Sequence, residues 1–258
     1  MTLFKNEYPI LEYDDRNEAV INPNHEDLDL KLPKKCVYVF LARHVDEYAR
    51  NKEAIKVSEF VSATKVYPVY VIDYKGEKVT LAQAPVGSAA AAQFMDWLIS
   101  YGVREIISAG TCGALIDIDE GVFLIPTKAL RDEGARYHYM APSRFVDIDR
   151  RAISPIRKIF EERGLTYLET TTWSTDGFYR ETRDFVKYRI EEGCQVVEME
   201  CASLAAVASF RDVIWGEILF TADTLSDPHN YDQRNWAEDS FAFALDLCLD
   251  CVINIGKK

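Results

Sequence analysis

Residues 194–209 read CQVVEMECASLAAVAS. The apolar pair Val196 and Val197 runs directly into Glu198, Met199 and Glu200, after which Leu204, Ala205, Val207 and Ala208 recur at helical spacing. This pattern predicts a short buried strand that delivers two carboxylates to the start of a helix. Buried carboxylates are costly unless something pairs with them. Two readings fit. Both acids cap the helix, where negative charge complements the dipole, or one of them accepts two hydrogen bonds from the vicinal hydroxyls of a sugar.

Downstream, Val213 to Ala222 (VIWGEILFTA) predicts a strand that ends at Asp223. An acid at the carboxyl end of an apolar strand sits where open α/β sheets place their chemistry. Upstream, an amphipathic helix is expected over Ser154 to Glu162 and a strand over Leu165 to Thr171. The segment Trp173 to Thr182 (WSTDGFYRET) that follows is too polar for core and rich in aromatics. It suits stacking on a flat heterocycle, or equally a surface loop pinned by aromatic plugs.

Further towards the N-terminus, Arg104 to Ala109 reads as a strand, followed at once by Gly110-Thr111-Cys112-Gly113-Ala114. Glycines flanking a threonine there let backbone N–H groups and a hydroxyl converge on an anion or a sugar oxygen; a plain turn is the other reading. The tetrapeptide lacks the spacing of dinucleotide and P-loop motifs. Strands are also expected at Val37 to Ala42, Val66 to Ile72, Val79 to Ala84 and Gly121 to Thr127, with a turn at Tyr74 to Glu77. Helices are expected at Gly87 to Ser100 and Ala237 to Ile253, and an aromatic, charged loop at Arg131 to Arg144. Alternating strands and helices predict an α/β fold, a three-layer α/β/α sandwich with a mixed, mainly parallel central sheet.

Composition narrows the function classes. The chain of 258 residues has a formal charge of -12 and no low-complexity linker, so a single domain spanning 1–258 is expected, with 1–35 as a polar N-terminal arm. The negative charge opposes binding to nucleic acid or to an anionic membrane. No basic leader and no apolar run of membrane-spanning length are present, and a cytoplasmic protein is expected. Six cysteines lie mostly within apolar runs and read as free buried thiols. His25, His44, His138 and His229 are not at ligand spacing, so no metal is expected.

Three segments together resemble the purine nucleoside phosphorylase and uridine phosphorylase superfamily: GTCGAL, WSTDGFYRET leading to VVEMECASLAAVA, and ILFTADTLSD. The resemblance covers about residues 37–255, and DEGARYHY followed by PSR is similar to one sub-branch. It implies a nucleoside phosphorylase that cleaves an N-glycosidic bond with phosphate as co-substrate, without a cofactor. In that reading Glu200 binds the ribose hydroxyls, Met199 packs on the sugar, Phe178 stacks on the base, and Thr111 contacts phosphate and sugar. Asp223 is the acid that protonates the leaving base. A homo-oligomer, dimer or hexamer, is implied as well, and loops such as Tyr137 to Met140 could meet a neighbour.

The chain also departs from the resemblance. Ser108 stands where phosphorylases usually carry an arginine, and Leu41-Ala42-Arg43-His44-Val45-Asp46 replaces a Gly-Asp-Pro loop. Arg43, with Thr111 and main-chain amides, is therefore the expected phosphate ligand. The alternatives are a nucleosidase, with His44 or Glu47 orienting water, and a nucleoside-binding relative without turnover.

Overall fold

The computed structural model describes residues 3–257. In chain order its elements are β1 (Lys35–Val39), α1 (His44–Asn51), β2 (Ile55–Val61), β3 (Val66–Tyr74), β4 (Glu77–Gln83), α2 (Ser88–Ser100), β5 (Glu105–Ala114) and β6 (Phe123–Asp132). There follow β7 (Phe145–Asp147), α3 (Arg150–Glu162), β8 (Tyr167–Thr175), α4 (Arg183–Glu191), β9 (Val196–Glu198), α5 (Cys201–Phe210), β10 (Ile214–Thr224) and α6 (Phe241–Asn254). The strands form one mixed sheet in the order β10-β6-β8-β9-β5-β1-β4-β3-β2, with β7 beside β6. Its long central ladders, β5 with β10 and β6 with β8, are parallel. β10 pairs with both β6 and β5, so β5, β10, β6, β8 and β9 close into a ring at one end of the sheet.

Helices cover both faces, giving the α/β/α sandwich. α2 and α5 pack together on one side, and α3 and α1 pack on α6 on the other. β10 shows why the strand reads as one apolar run: both of its faces are covered. At Gly216 an added Cβ would stand 2.6 Å from Cβ of Ala152 in α3, so only glycine lets that helix approach. Phe220, on the same face, meets Phe241 of α6 edge-on at 5.5 Å. The alternate residues Glu217, Leu219 and Asp223 face the other way and line a cavity.

The helix expected to begin at Ser154 begins at Arg150 instead and carries Pro155 within it. A helix-interior proline costs about 3 kcal/mol, and the Asp149 cap, which accepts the Arg151 N–H at 2.8 Å, returns only about 1 kcal/mol. Burial of Ile153, Ile156, Ile159 and Phe160 outweighs the difference, at about 1.5–3 kcal/mol for each side chain.

Residues 3–34 run outside the sheet and contain one short 3-10 turn, Pro9–Leu11. They are tied down by a few contacts. Glu26 accepts from Trp97 Nε1 at 2.9 Å, the carbonyl of Asn17 accepts from Arg211 at 3.1 Å, and the Leu32 N–H donates to the Tyr101 carbonyl at 2.8 Å. Residues 1, 2 and 258 of the expected domain lie outside the described residues. Among those described, no helix is long and apolar enough to cross a membrane.

Candidate active site

The GTCG stretch is strand rather than turn. β5 continues through it to Ala114, and neither Gly110 nor Gly113 has a positive φ. The reason lies in its partners: β10 runs parallel to β5 through Cys112 and, past a register irregularity, pairs again at Ala114, so the ladder carries the chain onward. On the opposite edge β1 pairs only up to Ile107 and β9 only from Gly113, with the Phe40 N–H to Ala109 carbonyl bond between them. Gly110–Cys112 therefore lies in a gap of the sheet, and a cavity of about 320 Å³ opens there.

The glycines shape this gap. A Cβ at Gly110 would press on the Phe40 ring at 3.3 Å, and one at Gly113 would stand 2.9 Å from Leu225, 3.1 Å from Val197 and 3.2 Å from Asp223 Oδ1. Both positions thus stay small so that an aromatic ring and the acid at the end of β10 can close on the strand.

The structure divides the roles of the two acids in the VEME stretch. Glu198 is the cap: it accepts from the backbone N–H groups of Glu200 and Cys201, each at 2.6 Å, and from Ser174 at 2.6 Å and Thr172 at 3.1 Å. Burial raises its pKa, and these four donors, which favour the charged form, pull the other way. Glu200 turns into the cavity instead, and its Oε1 accepts the backbone N–H of Gly87. Gly87 has φ +104°, a conformation open to glycine and strained for other residues. This bond joins the start of α2 to the start of α5. Burial, reinforced by the charge of Glu198, pushes the Glu200 carboxyl up to about 8.

Asp223 occupies the far side of the cavity. It is 5% exposed, and its Oδ2 accepts from the Tyr231 hydroxyl at 3.1 Å. Burial raises its pKa, while the Tyr231 hydrogen bond pulls the other way. Thr111, Phe178, Met199, Glu200 and Asp223 all line this one cavity. Phe178 presents 42% of its surface and meets Tyr179 edge-on at 5.0 Å. Its neighbour Asp176 accepts from the Ser88 hydroxyl and, at 2.7 Å, from the Gly134 N–H, which ties the aromatic segment to the start of α2.

Arg43 is not brought to the site. Its side chain is 68% exposed and pairs with Glu47 at 3.4 Å and Glu238 at 3.3 Å. His44 stacks on Phe241 at 5.4 Å and, with Glu47, lines a different cavity. Residues 41–46 lead into α1, whose head sits against α6, and this packing turns both side chains away from the gap. Ser108 is fully buried and accepts from Trp215 Nε1 at 3.0 Å.

Phe40, Glu181, Glu217 and Trp236 also line the cavity and are not among the expected site residues. Glu217 carried a signal, a lone acid inside an apolar strand run. Glu181 lies within the quoted aromatic segment, and burial followed by the charge of Asp223 pushes it up to about 7. Phe178, Glu181, Asp223 and Trp236 also border an adjoining cavity of about 470 Å³. Among the described residues lining the first cavity there are five carboxyl groups and no Lys, Arg or His. No group of three or more His, Cys, Asp or Glu among the described residues is placed to hold a metal ion.

Acids gathered at the carboxyl ends of strands in an α/β sheet define a site for a small polar ligand. Residues 34–251 match the family described as the phosphorylase superfamily, and the chain belongs to it. Among curated proteins it is similar to a guanosine phosphorylase of Halorubrum lacusprofundi, 26% identical over 162 residues, covering 62% of this chain and 67% of that one. It is also similar to a purine nucleoside phosphorylase of Plasmodium vivax, 30% identical over 195 residues, with 72% and 78% covered. Among solved structures, an AMP nucleosidase from Bacteroides thetaiotaomicron superposes with a TM-score of 0.68 at 23% identity, covering 88% of this chain and 90% of that one. The chain thus shares its fold with a nucleosidase.

Proposed function

We propose that the protein is a nucleoside phosphorylase that cleaves the N-glycosidic bond of a purine ribonucleoside with phosphate, releasing the base and ribose 1-phosphate. The observation that carries this is the placement of Glu200 and Asp223 in one cavity, with Phe178 on its wall. The purine and guanosine phosphorylases among its relatives support the substrate class.

In this reading Glu200 accepts the ribose hydroxyls and Met199 packs on the sugar, while Phe178 covers the base. A phosphate oxygen forms the new bond to C1′ as the C1′–N bond breaks. The electron pair of that bond goes to the base, and Asp223 supplies the proton, so the base leaves neutral. Burial keeps Asp223 protonated to higher pH than an exposed aspartate, which is what a general acid needs. Thr111 and the strand amides at the gap hold the nucleophile.

A nucleosidase is the second reading. It is favoured by one observation, the absence of Lys, Arg and His from the described lining, which suits water better than a phosphate dianion. Incubation with purine and pyrimidine nucleosides, with phosphate present and rigorously absent, separates the two. Ribose 1-phosphate formed only with phosphate is expected. Free ribose at equal rates in both conditions identifies a nucleosidase, and no product from any nucleoside leaves a binding protein.

A further inference from the structure

One acid on the cavity wall has no part in the chemistry above. Glu217 lies in the middle of β10, 2% exposed, and lines the cavity with Leu219 and Asp223. Its Oε2 is buried and has no hydrogen-bond partner, while the carboxyl group is in hydrogen-bond contact with the thiol of Cys201. Its register partner is Ser108 of β5, whose hydroxyl already accepts from Trp215.

An unpaired carboxylate buried there is far costlier than the neutral acid. Burial and the neighbouring Glu198 and Glu200 push Glu217 well up, and Glu198, with its four donors, is the member of the group built to hold the charge. A neutral carboxyl with one oxygen unused offers an O–H donor. Phosphate entering this cavity meets no cationic side chain among the described lining residues, so it must be held by neutral donors.

We propose that Glu217 is a phosphate ligand, its carboxyl O–H donating to an oxygen of the phosphate that sits beside Gly110 and Thr111. The inference rests on the phosphorolytic reading. No bond forms or breaks at Glu217; its proton stays on the carboxyl and is shared with the anion, as in other sites where a neutral acid stabilises an oxyanion. Loss of that proton turns the donor into a repelling charge.

Other titratable groups feel the same field: Cys112 of β5, Glu198 of β9, Glu200 and Cys201 at the head of α5, and Cys248 of α6. All of them remain in a Glu217 variant, which removes only the Glu217 titration from the set.

The test is calorimetric titration of inorganic phosphate into the wild-type protein, Glu217→Gln and Glu217→Met, from mildly acidic to alkaline pH, with circular dichroism to establish folding. Wild-type affinity is expected to fall towards alkaline pH more steeply than that of Glu217→Gln, which keeps a donor but cannot ionise. Glu217→Met, similar in size and without a donor, is expected to bind about tenfold more weakly or worse. Should the Met variant fail to fold, the difference in pH dependence between wild type and Gln decides alone. Wild-type affinity in Glu217→Met, or equal pH dependence in wild type and Gln, overturns the inference while phosphorolysis stands. If wild type binds no phosphate and releases free ribose, the phosphorolytic reading fails and the inference falls with it.

Discussion

The Tyr231 hydroxyl, in the adjoining cavity, donates to Asp223 Oδ2 at 3.1 Å. The bond favours the ionised aspartate and therefore opposes the burial that raises its pKa. Tyr231 thus tempers the acid that the proposed reaction uses.

Removing this donor has a defined sign. In Tyr231→Phe the anion loses a stabilising bond, the Asp223 pKa rises further, and the protonated acid persists to higher pH. The alkaline limb of the kcat profile for purine nucleoside cleavage is expected to move upward in pH. A limb that stays in place, or moves towards acid, would show that Asp223 does not set it.

The raised carboxyls also make a statement about stability. Glu200 is pushed up to about 8 by burial and the charge of Glu198, and Glu133 up to about 7, chiefly by burial. Against an ordinary value near 4.3, the folded state holds more protons than the unfolded state between these limits, so stability falls as pH rises. The contribution is full below the unfolded pKa and is lost as pH passes through about 7 and then about 8. Urea midpoints of the ligand-free protein are expected to decline over this window, and less steeply in Glu200→Gln, which cannot ionise. A midpoint that climbs with pH across it would contradict the assignment.

Much of the site was legible because it follows from local pattern. The run Val196–Val197 into Glu198-Met199-Glu200 gave the strand, the helix start and both acids, and the apolar strand ending at Asp223 gave the opposite wall. What single-residue reasoning could not do was divide the acids. Glu198 became the cap because Thr172 and Ser174, neighbours across β8, add donors to it, and strand pairing is not visible in sequence. GTCG read as a break because glycines mark turns, yet the ladder with β10 overrides that preference. α1, β2 and α4 left little trace, since each buries few side chains: α1 only Val45 and Ala49, α4 only Val186 and Arg189, and β2 none fully.

Arg43 illustrates the same limit. It follows the correct strand and so looked like a phosphate ligand, but its partners are Glu47 and Glu238 at the surface. Exposed ion pairs contribute about 0–1 kcal/mol. Arg43→Ala is expected to leave the KM for phosphate and the thermal midpoint close to wild type. A large rise in that KM would place the guanidinium in the site after all.

The proposed protonation of the base by Asp223, as the glycosidic bond breaks, is read by the single-turnover rate of purine ribonucleoside cleavage by Asp223→Asn under saturating substrate. A loss on the order of 10²–10⁴ is expected, with nucleoside affinity and circular dichroism close to wild type because Glu200, Met199 and Phe178 are untouched. Cleavage of a natural purine nucleoside at the wild-type rate would contradict it.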